Sequence, residues 1–198
     1  MWRIPGDPQG AAIDPIDLAK WLEARCGRIA DGWVDALKTA RSNDAVLNSI
    51  GPAFANTLVS FLPGVLTPYR HQVEPLWREA ATLFGSVAAR RGLSAGEVIE
   101  EFHELREGLL RLMFDEPPVS GDGLPPLREV LILNRVIDAG VTQASVGHTD
   151  LLFFSLIHGS GVPAPMEAHD LEEVRFQLGT MEEEGARIMR ILTHADRH

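Results

Sequence analysis

Ser94-Ala95-Gly96-Glu97-Val98-Ile99-Glu100-Glu101-Phe102-His103-Glu104-Leu105-Arg106-Glu107-Gly108-Leu109-Leu110-Arg111-Leu112 is the stretch that decides the fold class. Ser94 and Glu97 stand three apart, the spacing at which a serine hydroxyl and a glutamate carboxylate each satisfy a free amide of a starting helix. Val98, Phe102, Leu105, Leu109 and Leu112 then recur at steps of three and four, the period of one helical face. No β-strand buries that spacing on one side. The local start signal and the long-range pattern therefore agree on an amphipathic helix.

The same logic extends in both directions. Upstream, Asp14 before Pro15 marks a helix start, and Leu18, Leu22, Cys26, Ile29, Trp33 and Leu37 trace one face from about 15 to 41. A second helix is expected over 44–66, kinked near Gly51-Pro52 and ended by Pro63 and Gly64, and a third from Glu74-Pro75 to Gly92. Downstream, residues 115–126 carry four prolines and two glycines, which only a loop accommodates. A fifth helix is expected over 127–157 and a sixth beyond Pro165, while alternation of period two is missing, so no sheet is expected. The fold class is all-α: a bundle of four to five helices with a long C-terminal coiled-coil-like helix. Its expected parts are a flexible arm over 1–13, a helical bundle over 14–158 and a dimerisation helix over 165–198.

Composition narrows the functional classes. The chain has 198 residues, enough for one large core, with 28 acidic against 18 basic residues and a net charge of −10. That sign opposes a phosphate backbone, so nucleic acid is not an expected partner. Cys26 alone rules out an internal disulfide, and no apolar run follows the basic start of the chain as in a secretory signal. The densest apolar run, Leu151 to Ile157, is far short of a bilayer span, so a cytoplasmic protein without membrane partners is the expectation.

The C-terminal segment carries its own signal. Leu171, Val174, Leu178, Met181, Gly185, Ile188 and Leu192 advance by three and four, a heptad seam flanked by charge. Such a seam needs a partner: its own bundle, a second copy, or another protein. Homodimer pairing is favoured, with Leu171, Val174, Leu178, Met181, Ile188 and Leu192 in the interface. Leu151 to Ile157 is apolar all round, more than a surface helix requires, and Leu152 and Phe153 are placed in the same interface.

The residues Ala88-Ala89-Arg90-Arg91-Gly92-Leu93-Ser94, Glu97-Val98, Glu101-Phe102, Leu105-Arg106 and Leu109-Leu110, with Leu133-Asn134, Ile137-Asp138 and Ala144-Ser145, give the chain a family resemblance. Over about residues 15 to 150 it resembles the RsbRD-type N-terminal sensor domain. The resemblance implies a helical module of bacterial stress or two-component signalling that acts on an output domain or protein. Family members usually continue into that output domain, whereas about 48 residues follow here, so the expectation is either a separated sensor module or a partner that supplies the output.

Two sets of polar residues remain. Arg106 and Asp138, on different helices, are expected to pair, with Glu101 a second acceptor for Arg106; the pair either fixes helix register or offers Arg106 to a ligand carboxylate. Asn134, Asp138, Ser145 and His148 share a stripe that either satisfies itself or lines a small-molecule pocket. Glu100 and His103 have metal-ligand spacing once, where a di-iron bundle needs it twice. No nucleophile elbow, phosphate loop or zinc motif is present, and Cys26 sits on an apolar stripe. The expectation is a non-catalytic regulatory sensor without cofactor or metal; a ligand-free scaffold and a haem- or metal-binding sensor are the alternatives.

Overall fold

The computed structural model describes residues 15–118, 127–159 and 161–195, the side chains of Pro15, Glu129 and 191–195 excepted. The expected arm over 1–13, the Asp14 cap, the centre of the proline-rich loop and the side chain of Leu192 thus lie outside the described residues. Among those described there are seven helices and no strand: α1 (Pro15–Glu23), α2 (Cys26–Ala40), α3 (Ala45–Val65), α4 (Arg70–Arg90), α5 (Ala95–Asp115), α6 (Leu127–Ile157) and α7 (Ala168–Ala195).

Helix starts and stops follow from local chemistry. The Ser94 hydroxyl accepts from the Glu97 amide while the Glu97 carboxylate accepts from the Ser94 amide, which completes the capping box of α5. Asp44 caps α3 by accepting from the Leu47 amide. Gly92, at φ +79°, ends α4: its amide donates to the Ala89 carbonyl and that of Leu93 to the Ala88 carbonyl, a left-handed stop.

Two boundaries differ from expectation. The first predicted helix is broken at Arg25, which leaves the helical region and places its guanidinium 4.6 Å over the Trp21 ring. Glu116, just past α5, stabilises the break by accepting from Trp21 Nε1 through its carbonyl and from Arg25 and Arg28 through its carboxylate. The third predicted helix begins a turn early, at Arg70, with Pro75 inside it. A proline there removes a single early hydrogen bond, and Glu74, bonded to Arg70 at 2.7 Å and Arg78 at 2.5 Å, ties the extra turn down.

The core is one continuous cluster. Trp33, Phe54, Phe84 and Phe102 form a connected aromatic group, with Trp77 edge-on to Phe102 at 6.4 Å between centroids. The buried indoles are satisfied by backbone oxygens, Trp33 donating to Glu101 at 2.6 Å and Trp77 to Leu58 at 2.9 Å. By length and composition α3 is apolar enough to cross a bilayer; here its side chains pack against α1, α2, α4 and α7.

The most extensive helix contact is α4 against α6, and glycine makes it possible. A Cβ at Gly85 would stand 1.8 Å from the Ala144 carbonyl oxygen, one at Gly147 2.0 Å from the Thr82 carbonyl oxygen, and one at Gly140 2.0 Å from the Trp77 ring. The two helices run in the same direction: Thr82 bonds Gln143 and Ser86 bonds the Gly147 carbonyl, both 61 residues apart. At that offset Arg90, the end of α4, is level with Leu151. The last turns of α6 extend beyond α4.

The heptad seam of α7 is taken up by its own chain, which corrects the assignment of these side chains to a dimer interface. Leu178 is 1 % exposed, Val174 and Met181 are buried, and Leu171 and Ile188 are half-buried against the same core. Their partners are on α3 and α4. Gly185 receives the Phe61 ring, where a Cβ would lie 2.5 Å from a ring carbon. Polar ties run alongside: Thr57 donates to Glu182 and Arg175 to Ser49, each at 2.6 Å. A seven-residue rhythm sets a shallow crossing angle and not the identity of the neighbour, so an intrachain groove satisfies it equally well.

The glycine contacts set up a direct comparison. Gly147→Ala must push two backbones apart and is expected to cost about 3 kcal/mol, whereas Gly108→Ala, with nothing within 4 Å of the new carbon, should gain about 1 kcal/mol from helix propensity. Urea unfolding midpoints of the two variants check this; equal shifts would show that α4 and α6 are not in close contact.

Candidate functional site

Arg106 donates to Asp138 across the α5–α6 contact, so the two expected partners meet. They meet at the surface, not in the core, because Asp138 is 64 % exposed. Arg106 Nε is buried and has no hydrogen-bond partner. Glu101, the second expected partner, points elsewhere. Its carboxylate takes a two-pronged bond from Arg91, at 2.9 and 2.7 Å, and Arg91 also donates to Asp44 at 2.8 Å.

That network is the most deeply buried charge among the described residues and the feature that sequence reading missed. The side chains of Arg91 and Glu101 are 3 % and 5 % exposed. Burial pushes the Arg91 pKa down, but Glu101 and Asp44 more than offset it and hold the guanidinium charged. Arg41 extends the cluster to Glu97 at 2.6 Å. The network joins the ends of α2, α3, α4 and α5, and its role is structural because every charge in it already has a partner. The hint in the sequence was doubled, Arg90-Arg91 beside a helix stop, with only one of the two positions turned inward.

The polar residues of the α6 stripe find partners close at hand. Asn134 donates to the Val130 carbonyl and Ser145 to the Val141 carbonyl, each satisfied one turn back on its own helix. His148 is buried, and its Nε2 lies 2.7 Å from the Leu93 carbonyl oxygen, so Nε2 carries the proton and donates. Nδ1 is buried and has no hydrogen-bond partner. His148 thereby fixes the α4–α5 turn against α6. Of the five expected ligand residues, Arg106 borders a cleft, an open one of about 590 Å³ shared with His103, Leu110 and Phe114.

The other charged contacts fasten the ends of the bundle. Arg90, at the end of α4, donates to the carbonyls of Ala164 and Pro165 and, at 2.6 Å, to Asp170. One guanidinium therefore holds the α6–α7 connection and the first turn of α7. Cys26 is half-buried with its thiol pushed up to about 11 by burial and then by Glu23, which makes it a poor nucleophile. Among the described residues no three of His, Cys, Asp and Glu gather as a metal site.

Beyond Leu151 the character of α6 changes. Phe153 is 61 % and Ile157 60 % exposed, and Phe154 and Leu156 are exposed to a similar degree. Leu152, placed with Phe153 in the expected interface, is also exposed. These side chains have little cover from their own chain, although one face of the same helix is buried along 133–148. Large apolar residues bared in one contiguous run mark a contact surface far more often than scattered ones do.

No family model, curated protein or solved structure matches the chain.

Two outcomes follow. Glu101→Leu leaves Arg91 buried with one acceptor fewer and is expected to cost about 3–5 kcal/mol, much of it recovered in the double variant Arg91→Met/Glu101→Leu; additive losses in a denaturation cycle would contradict the pairing. Acid should also unfold the chain in a defined window. Hydrogen bonds from Arg41 to Glu97 and from Arg28 to Glu116 hold both carboxyls down from 4.5 to about 2, and Arg90 holds Asp170 down from 3.8 to about 2. Their contribution is complete above the ordinary carboxylate values and is lost as pH falls towards about 2. The urea midpoint should fall through that window, and less steeply in Arg28→Ala.

Proposed function

We propose that this chain is a non-catalytic regulatory module that binds a partner through the far end of α6 and passes the event on through helix packing. The observation that carries the reading is the apolar end of α6, where Leu152, Phe153, Phe154, Leu156 and Ile157 are exposed within six consecutive residues, while the other exposed large apolar side chains, such as Phe114, Leu127 and Phe176, lie apart from it on other stretches of the chain. That end continues without a break into the part of α6 locked onto α4 by Gly85, Gly140 and Gly147, so a load on the tip is transmitted along a stiff element. Arg90 sits at the level where the tip emerges and holds the connection to α7, which gives the event a second helix to move. The signalling role implied by the resemblance to RsbRD-type sensor domains is in keeping with this arrangement.

A ligand-free scaffold is the second reading, and the buried Arg91–Glu101 network favours it to the extent that it fixes one arrangement of four helices. The two readings differ in whether α6 and α7 respond to each other. Arg90→Ala removes the shared tie without touching the bare side chains. In amide NMR spectra it is expected to shift resonances in 151–158 and along α7 while the α3 core stays in place. Changes confined to the immediate neighbours of residue 90 would favour the scaffold.

A further inference from the structure

The inward face of α6 near its end is built from Ala144, His148, Leu151 and Ser155, at steps of four, three and four. Directly opposite runs a second stripe, Val146, Asp150, Phe153 and Ile157, with the same steps and all of it exposed. Phe154 and Leu156 widen it on either side. The helix is thus two-faced over its last three turns, with one seam satisfied at home and one left open.

We infer that the open seam is filled by a second copy of this chain, the two α6 ends lying antiparallel about a two-fold axis beside Phe154. The inference rests on the reading of the α6 end as a contact surface and names its occupant. The first ground is area. Phe153, Phe154, Leu156 and Ile157 are each roughly three-fifths exposed, and with Leu152 they bare roughly 570 Å² of apolar surface per chain, taking about 200 Å² for a full residue. A standard interface buries about 800 Å² on each partner.

The second ground is charge. The segment from Leu151 to Ile157 carries none, so two chains of net charge −10 can meet there without setting like charges against each other. The titratable groups that border it are Asp150 and His158, both exposed, four residues to either side of Phe154. An antiparallel pairing about that residue brings Asp150 of one copy level with His158 of the other, twice, as a two-fold axis demands. The imidazole already stands edge-on to the Phe154 ring, with centroids 4.0 Å apart, at the centre of the contact. A parallel pairing would set Asp150 against Asp150.

Sedimentation equilibrium on the full chain tests the inference. The mass is expected at twice 21.7 kDa and to fall to 21.7 kDa in Phe153→Glu/Ile157→Glu, with self-association weakened at least about thirtyfold. Thermal unfolding of the variant at low concentration should match that of the parent, since both side chains face away from the core. Phe176→Glu, an exposed aromatic on α7, should leave the dimer intact. A parent chain monomeric at 100-fold dilution and at high concentration alike, or a dimer that survives the α6 variant, overturns the inference. If the chain is monomeric while Arg90→Ala still shifts 151–158 and α7, the regulatory reading stands and the second copy is discarded.

Discussion

The close approach of α6 to α4 is the constraint on which the remaining structure depends. Where Gly85 and Gly147 face the carbonyls of Ala144 and Thr82, the helices come nearer than any side chain permits, and they do so without a break in either backbone ladder. That approach sets Trp77 over Gly140, and the ring in turn closes the aromatic cluster of Phe84, Phe102 and Trp33. It also sets the register at which α6 outruns α4. The bare tip is therefore a consequence of the same contact that anchors the body of the helix.

Charge is used differently at the two levels of the molecule. Inside, Arg91 and Glu101 are paired so completely that neither is available to a ligand, and His148 is occupied in holding the Leu93 carbonyl. Outside, arginines at helix ends bind carboxylates and carbonyls of neighbouring elements: Arg28 and Arg25 hold Glu116, and Arg90 holds the α6–α7 connection. On the proposed reading, partner binding falls to apolar surface, and its specificity would come from shape and from the few charges at the rim, Asp150 and His158.

What was legible in the sequence was local. The capping box at Ser94, the glycine stop at Gly92 and the helical periods each depend on residues within a few positions, and so the all-helical class was readable directly. Bundle topology was less so: Arg25 breaks the first helix because of Glu116, more than ninety positions away, and no neighbouring residue announces it. The heptad rhythm of α7 was read correctly as a seam needing a partner, but periodicity carries an angle and not an address, and α3 of the same chain supplies the groove. Arg106 and Asp138 were matched by type, yet burial is a property of the assembled surface and the pair lies open. The Arg91–Glu101 pair escaped because a carboxylate on one helix has several arginines within plausible reach until the helices are placed. The opposite stripe on α6 was hidden by the very density of apolar residues that drew attention to the segment.

The α7 stripe is covered by its own chain and the α6 tip is bare, so the two differ in what a second molecule would protect. Hydrogen–deuterium exchange of the full chain, read by mass spectrometry across a wide range of protein concentration, separates them directly. Protection that grows with concentration over 146–158, with α7 unchanged from 174 to 188, is the result expected if the α6 tip is the contact surface. Concentration-dependent protection in α7, with the α6 tip exchanging at one constant rate, would contradict it.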